Sequence, residues 1–257
     1  MPDDSVSKRA KDRDREIELF TTKLKAFLDT RLAKILNRVR IGDIPALEAA
    51  SQLGGILQGM KDLGLDAQLA ELDNIYTKEL LAVKSELDAL STATGLGTLV
   101  FSDADKSVVE ALISADYSQI EGKIGAYITD VKAAVFRSVV AQDAPDYDAV
   151  IERFGPRMAA NMETELRTGL SAFNQTVTNH KLEQSGIEYV EYLGPDDKVT
   201  RDFCRNLLHK GGIFKLSEVK RMQNDQGTDA YIYRGGYNCR HQWRGLDSDT
   251  AKSRLSK

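Results

Sequence analysis

Between Ile17 and Val177 the apolar residues recur at intervals of three and four, and this spacing constrains the fold more than any other feature of the chain. Because about 3.6 residues complete a helical turn, such spacing lines one face of an α-helix. Ile17, Phe20, Leu24, Phe27, Leu28, Ile35 and Val39 form the first stripe, and the mixed charges of residues 3–18 ahead of it read as a solvated helical lead-in. Asp43 before Pro45 predicts a capped restart of a shorter helix through about Met60. A further stripe, Leu65, Leu69, Leu72, Ile75, Tyr76, Leu80, Val83, Leu87 and Leu90, ends in the small, glycine-rich residues 91–97.

Ser102 and Asp105 have the spacing of a capping box, and the apolar pattern behind them runs helically to Ala141. At about 1.5 Å per residue, that helix approaches roughly 60 Å. Asp143-Ala144-Pro145-Asp146 predicts a break, since the residue before a proline is pushed out of helical geometry. A short helix over 147–154, a turn at Gly155-Pro156 and a helix from Arg157 to about Gln184 should follow, with Gly186 as the terminating glycine. The expected fold class is therefore mainly α. An elongated helical segment over residues 1–185, packed as an antiparallel bundle, precedes a small α+β module with a polar tail over 186–257.

Within that module Ile187, Tyr189, Val190 and Tyr192 predict a strand, closed by the turn residues Gly194-Pro195-Asp196-Asp197. Short helices are expected over Thr200–Leu208 and Ser217–Met222, a second strand at Tyr231-Ile232-Tyr233, and a loose tail over 246–257. Both cysteines, Cys204 and Cys239, lie here with two of the three histidines, His209 and His241, and the only tryptophan, Trp243. Rare residues gathered so closely indicate a module held by specific side-chain contacts more than by bulk apolar burial.

Thr200-Arg201-Asp202-Phe203-Cys204, followed some thirty residues later by Gly235-Gly236-Tyr237-Asn238-Cys239-Arg240-His241, resembles the C-terminal domain of the phage Mu F-like family of head-morphogenesis (minor head) proteins. The likeness covers roughly residues 155–245 and includes the helix from Met162 to Asn174. The sequence departs from the family where Gly236-Tyr237 replaces a common His-Pro and His241 replaces a terminal cysteine. The resemblance implies a virion structural protein near the portal, acting in head assembly, DNA packaging or ejection. Portal or other virion proteins, further copies of the chain and packaged DNA would be its neighbours, and a host bacterial cytoplasm its place of assembly. On that reading the protein is not an enzyme.

The residues also admit chemistry. Cys204, His209, Cys239 and His241 form a two-Cys, two-His set that suits tetrahedral zinc, which would lend folding energy to a small module. Cys-x4-His sets two ligands about a helical turn apart, whereas Cys-x-His is expected to point its side chains apart along an extended segment. A Cys204–Cys239 disulfide and buried thiols beside hydrogen-bonded histidines are the alternatives. Arg201, Arg205 and Arg240 fall near Asp196, Asp197, Asp202 and Glu218. They read either as a loop-pinning network or as part of a metal-dependent nuclease-like or toxin-like hydrolase in which the carboxylates and His241 hold an ion. Gly235-Gly236 predicts a tight turn or close approach, and Tyr231, Tyr233, Tyr237 and Trp243 predict packing more than base stacking.

Composition narrows these classes. A net charge of -4 and a pI near 5.6 give no general excess of positive charge for holding nucleic acid. No run approaches the roughly 18 apolar residues of a membrane span, and the charged N-terminus is unlike a signal peptide, so a soluble, unsecreted protein is expected. Two cysteines make no disulfide framework, which suits a reducing compartment.

Overall fold

Long helices dominate the computed structural model, which describes residues 4–40, 45, 48, 51, 55, 61, 64–94, 101–141 and 146–256. In chain order the elements are α1 (Asp4–Arg40), α2 (Leu65–Leu69), α3 (Glu71–Thr94), α4 (Asp103–Ala141), α5 (Tyr147–Gln184), β1 (Tyr189–Leu193), α6 (Asp202–His209), β2 (Ile213–Lys215), α7 (Leu216–Val219), α8 (Ala230–Tyr233), β3 (Gln242–Leu246) and α9 (Ser248–Leu255). The fold is mainly helical with a small C-terminal mixed α/β module, the expected class. No helix among the described residues is long and apolar enough to cross a membrane. Of the loop expected over residues 91–97, residues 91–94 are instead the last turn of α3, and residues 95–97 lie outside the described residues, as does most of the predicted restart after Asp43.

Two compact units divide the chain: residues 16–74 with 115–166, and residues 1–15 with 75–114 and 167–257. The first is a helical core. Ile17, Leu24, Leu28 and Leu32 of α1 are fully buried, as are Leu65 of α2 and Ile124 and Val131 of α4, while Met162 of α5 continues the apolar set. Phe27 is only half-buried, and the side chains of Ile35 and Val39 are outside the described residues. Gly155-Pro156 makes no turn, contrary to expectation, because α5 runs straight through it. Gly155 instead admits Lys25 of α1, whose Cε would stand 3.0 Å from a Cβ there. The absent side chain permits close helix packing.

The second unit carries the module. The charge run is not merely a solvated lead-in: Arg9 and Arg13 turn one face of α1 toward Glu79 of α3, at 2.8 and 3.7 Å. At the start of α4 the capping box forms as expected, with the Asp105 N–H donating to Ser102 Oγ at 3.2 Å and the Ser102 N–H donating to Asp105 Oδ2 at 2.6 Å. Lys181 of α5 reaches the same carboxylate at 2.5 Å, and both side chains are buried. Gly186, at φ +69°, ends α5 while the Ile187 N–H bonds back to the Leu182 carbonyl.

The sheet is antiparallel throughout, in the order β2-β1-β3, with Tyr192 opposite Trp243 and Val190 opposite Phe214. β2 and β3 are strands the sequence pattern did not mark, whereas Tyr231-Ile232-Tyr233, expected as a strand, is the single helical turn α8. Asp229 explains that difference, since its carboxylate accepts the Tyr231 N–H at 2.7 Å and starts a turn. The polar tail is not loose either. Asp247 caps α9 by accepting the Thr250 N–H at 2.8 Å, and Ala251 packs with Tyr189 and Ile213.

Candidate metal centre

One face of α5 fixes the closing segment of the module. Thr168, Ser171, Gln175 and Asn179 are buried polar residues at helical spacing, and each grips backbone. The Asn238 N–H donates to Thr168 Oγ1 at 3.2 Å, and Ser171 Oγ donates to the Cys239 carbonyl at 3.2 Å. Gln175 holds both backbone groups of Trp243, accepting its N–H at 2.9 Å and donating to its carbonyl at 3.2 Å. Asn179 donates to the Tyr231 carbonyl at 2.8 Å. β3 pairs only with β1 in the sheet, so Gln175 satisfies an edge that would otherwise be open. This ladder went unrecognised beside the apolar stripe, although its three-and-four spacing is visible in the sequence.

Cys204 comes from α6, and Cys239 and His241 from the segment leading into β3. The three are buried, and their ligand atoms lie within 4.8 Å of one another. Cys204 Sγ and Cys239 Sγ are 3.9 Å apart, and Cys239 Sγ is 3.7 Å from His241 Nδ1. Zinc bonds of ordinary length at tetrahedral angles place two sulfurs about 3.8 Å apart, and a sulfur and a nitrogen about 3.6 Å apart. Two edges of the triangle therefore already have the size of a tetrahedral zinc site. The thiols are free, not joined in a disulfide.

His209 is not part of the cluster. It is exposed at the end of α6, with Nε2 3.0 Å from Asp196 Oδ2. The Cys-x-His spacing proves favourable instead of divergent, because residues two apart on an extended segment share a face. Arg240 is the side chain turned away, and its fork grips Asp197 at 2.8 and 2.7 Å. Among the described residues no carboxylate joins His241 in the cluster. Asp196 and Asp202 bond Arg205 at 3.1 and 3.2 Å, and Glu218 accepts the Lys215 N–H at 3.2 Å at the start of α7. The arginine–carboxylate group is thus a loop-pinning network, completed by Thr200 Oγ1 donating to the Pro195 carbonyl and Arg201 donating to the Tyr237 carbonyl.

Two glycines make room for the cluster, and a third turns the chain beside it. A Cβ at Gly235 would collide with Cys204 Sγ and press to 3.2 Å on Cys239 Sγ, while the Gly235 N–H donates to Cys239 Sγ at 3.3 Å. At Gly194 a Cβ would stand 2.7 Å from Cγ of the His241 ring. Gly236, at φ +92°, turns the chain where the Gln226 side chain accepts the Tyr237 N–H at 2.9 Å, and Asn238 at φ +55° completes the reversal.

Around the cluster the Tyr192 ring stacks on His241 with 5.2 Å between centroids, and the Tyr192 hydroxyl donates to Cys204 Sγ at 3.2 Å. Trp243 leans on Tyr192 at 4.4 Å and donates Nε1–H to the Ala230 carbonyl at 2.8 Å. Arg234 is buried at φ +50°, donating to the Ser171 and Ile232 carbonyls, both at 2.7 Å. The hydrogen bond from Cys204 outweighs burial and, with His241 and Arg234, holds Cys239 well below the ordinary thiol value. The same bond, aided by burial, pushes Cys204 up. Cys239 is thus the more acidic thiol of the pair, and metal ligation would require both as thiolates.

No protein-family model matches the chain, and neither a curated protein nor a solved structure matches it. The expectation of a purely structural, non-enzymatic protein is corrected by this cluster. Cysteine, cysteine and histidine are held at coordinating distances, a three-ligand set with catalytic potential. Tyr192, Arg234 and the α5 ladder are functional residues that sequence reasoning missed.

Proposed function

We propose that the protein is a metal-dependent enzyme of hydrolase type, with Cys204, Cys239 and His241 holding a zinc-like ion in the C-terminal module. The observation that carries this reading is the number of ligands: three buried donors, two of their spacings of tetrahedral size, with no fourth His, Cys, Asp or Glu joining them among the described residues. Structural zinc sites are closed by four protein ligands, whereas catalytic ones keep a position for water or substrate. A bound ion there supplies Lewis-acid polarisation and water acidified toward neutral pH. The surrounding residues set the donors for that task. Arg234 offsets thiolate charge in the dry interior, the Gly235 N–H and Tyr192 hydroxyl donate to the sulfurs, and Tyr192 keeps the imidazole plane fixed.

The test is spectroscopic and needs no substrate. Cobalt-loaded protein should show the intense visible bands of a tetrahedral thiolate site, and azide should shift them by taking the open position. Bands unmoved by azide would mean a closed structural site and overturn the enzymatic reading.

A second reading concerns where the protein acts. Cys204, Gly235 and Cys239, which belong to the segments resembling Mu F-like head-morphogenesis proteins, also build the cluster, and this supports a place in the phage head near the portal. Purified virions that lack the protein by mass spectrometry would remove that reading and leave the metal site untouched.

A further inference from the structure

Beside the cluster lies an open pocket of about 400 Å³ whose wall includes Arg13, Arg167, Arg201, Arg240, Asp14 and Cys239. Four arginines and one aspartate contribute to the wall; Arg13, Arg167 and Arg240 each meet a carboxylate, of Glu79, Asp14 and Asp197, whereas Arg201 meets a backbone carbonyl. The arginines are braced. Asp14 stands 3.3 Å from Arg167, Asp197 takes the fork of Arg240, and the Tyr237 carbonyl accepts from Arg201 at 2.6 Å. Bracing lowers the entropy lost when a ligand is gripped. A guanidinium carries five N–H donors, more than these contacts occupy on Arg201 and Arg240. Planar forks presented together suit the oxygens of a phosphoryl group, which accepts bidentate, charge-assisted hydrogen bonds.

We propose that this pocket binds the phosphoryl group of a small phosphate ester, which is the substrate class of the Cys204–Cys239–His241 site; this rests on reading that site as a metal centre. Its volume is that of a small-molecule site, about 300–1,000 Å³. Cys239 belongs to both the cluster and the pocket wall, so the pocket adjoins the cluster at that residue. For hydrolysis the oxygen of water bonds to phosphorus, the P–O bond to the alcohol breaks, and the alcohol leaves with one of the water protons. No oxidant or reductant is consumed.

The experiment titrates the zinc-loaded full chain with inorganic phosphate by calorimetry, with acetate as the competing anion. Saturable phosphate binding is expected, weakened at least tenfold in Arg167→Gln/Arg201→Gln and unchanged in Lys210→Gln, an exposed lysine outside the pocket. Far-UV circular dichroism and zinc content of the double variant should match the parent, which separates lost binding from lost folding. Absence of saturable phosphate binding in a chain that holds zinc would overturn the pocket and leave the metal centre standing. Equal competition by acetate would overturn the phosphoryl assignment. Phosphate binding in a chain that takes up no zinc would overturn the metal centre and its link to the pocket alone.

Discussion

At the residue scale the site depends on what is missing as much as on what is present. Gly235 touches both sulfurs through its backbone and has no room for a methyl group. Gly235→Ala should therefore separate Cys204 from Cys239, abolish stoichiometric metal uptake and cost about 1–3 kcal/mol of stability in a denaturant titration. A Gly235→Ala protein with normal metal content would show that the close approach is dispensable. The rare residues of the module are legible as a site from their clustering along the chain, and three of the four expected ligands do converge. His209 was not excludable by spacing, because only the direction of α6 turns it outward to Asp196. Tyr192 was legible as a strand residue, but its contact with the thiols arises from the register of β1 against β3.

Helix α5 is the element that makes the site possible. Its apolar face was plain in the sequence, yet the buried ladder Thr168, Ser171, Gln175 and Asn179 governs where Cys239 and Trp243 lie. Polar residues at helical spacing read as solvent-facing unless the partner backbone is known, and that partner lies tens of residues downstream. Gln175→Ala would leave the Trp243 N–H and carbonyl buried without their partner, a loss of about 1–3 kcal/mol measurable as a lower thermal midpoint. Gln175→Glu, which keeps one acceptor, should recover part of it. The start of α4 offers a pH test. Burial raises the Asp105 carboxyl, but hydrogen bonds from Lys181 and Ser102 outweigh it and hold the group below the usual carboxylate range. A depressed folded-state pKa stabilises above the unfolded value, about 4, and that contribution is lost as pH falls through the folded value. Wild-type stability should fall as pH drops below about 4, and Asp105→Asn should flatten that slope while lowering stability at pH 7. An unchanged slope would place the acid sensitivity elsewhere.

For the whole molecule, long stripes of apolar residues announced a mainly helical fold, and the change of period after Gly186 announced the small module. Short strands such as Ile213–Lys215 left no such trace, since three residues are too few to show alternation. The claim that unites the account is that this module is organised around a bound ion. Elemental analysis of protein purified without chelator tests it most directly, beside Cys239→Ser and a thiol titration. The account predicts one zinc per chain, two thiols shielded from reagent until the metal is removed, and loss of the metal in Cys239→Ser. Substoichiometric metal in a folded wild-type chain, with both thiols unaffected by added zinc, would contradict it.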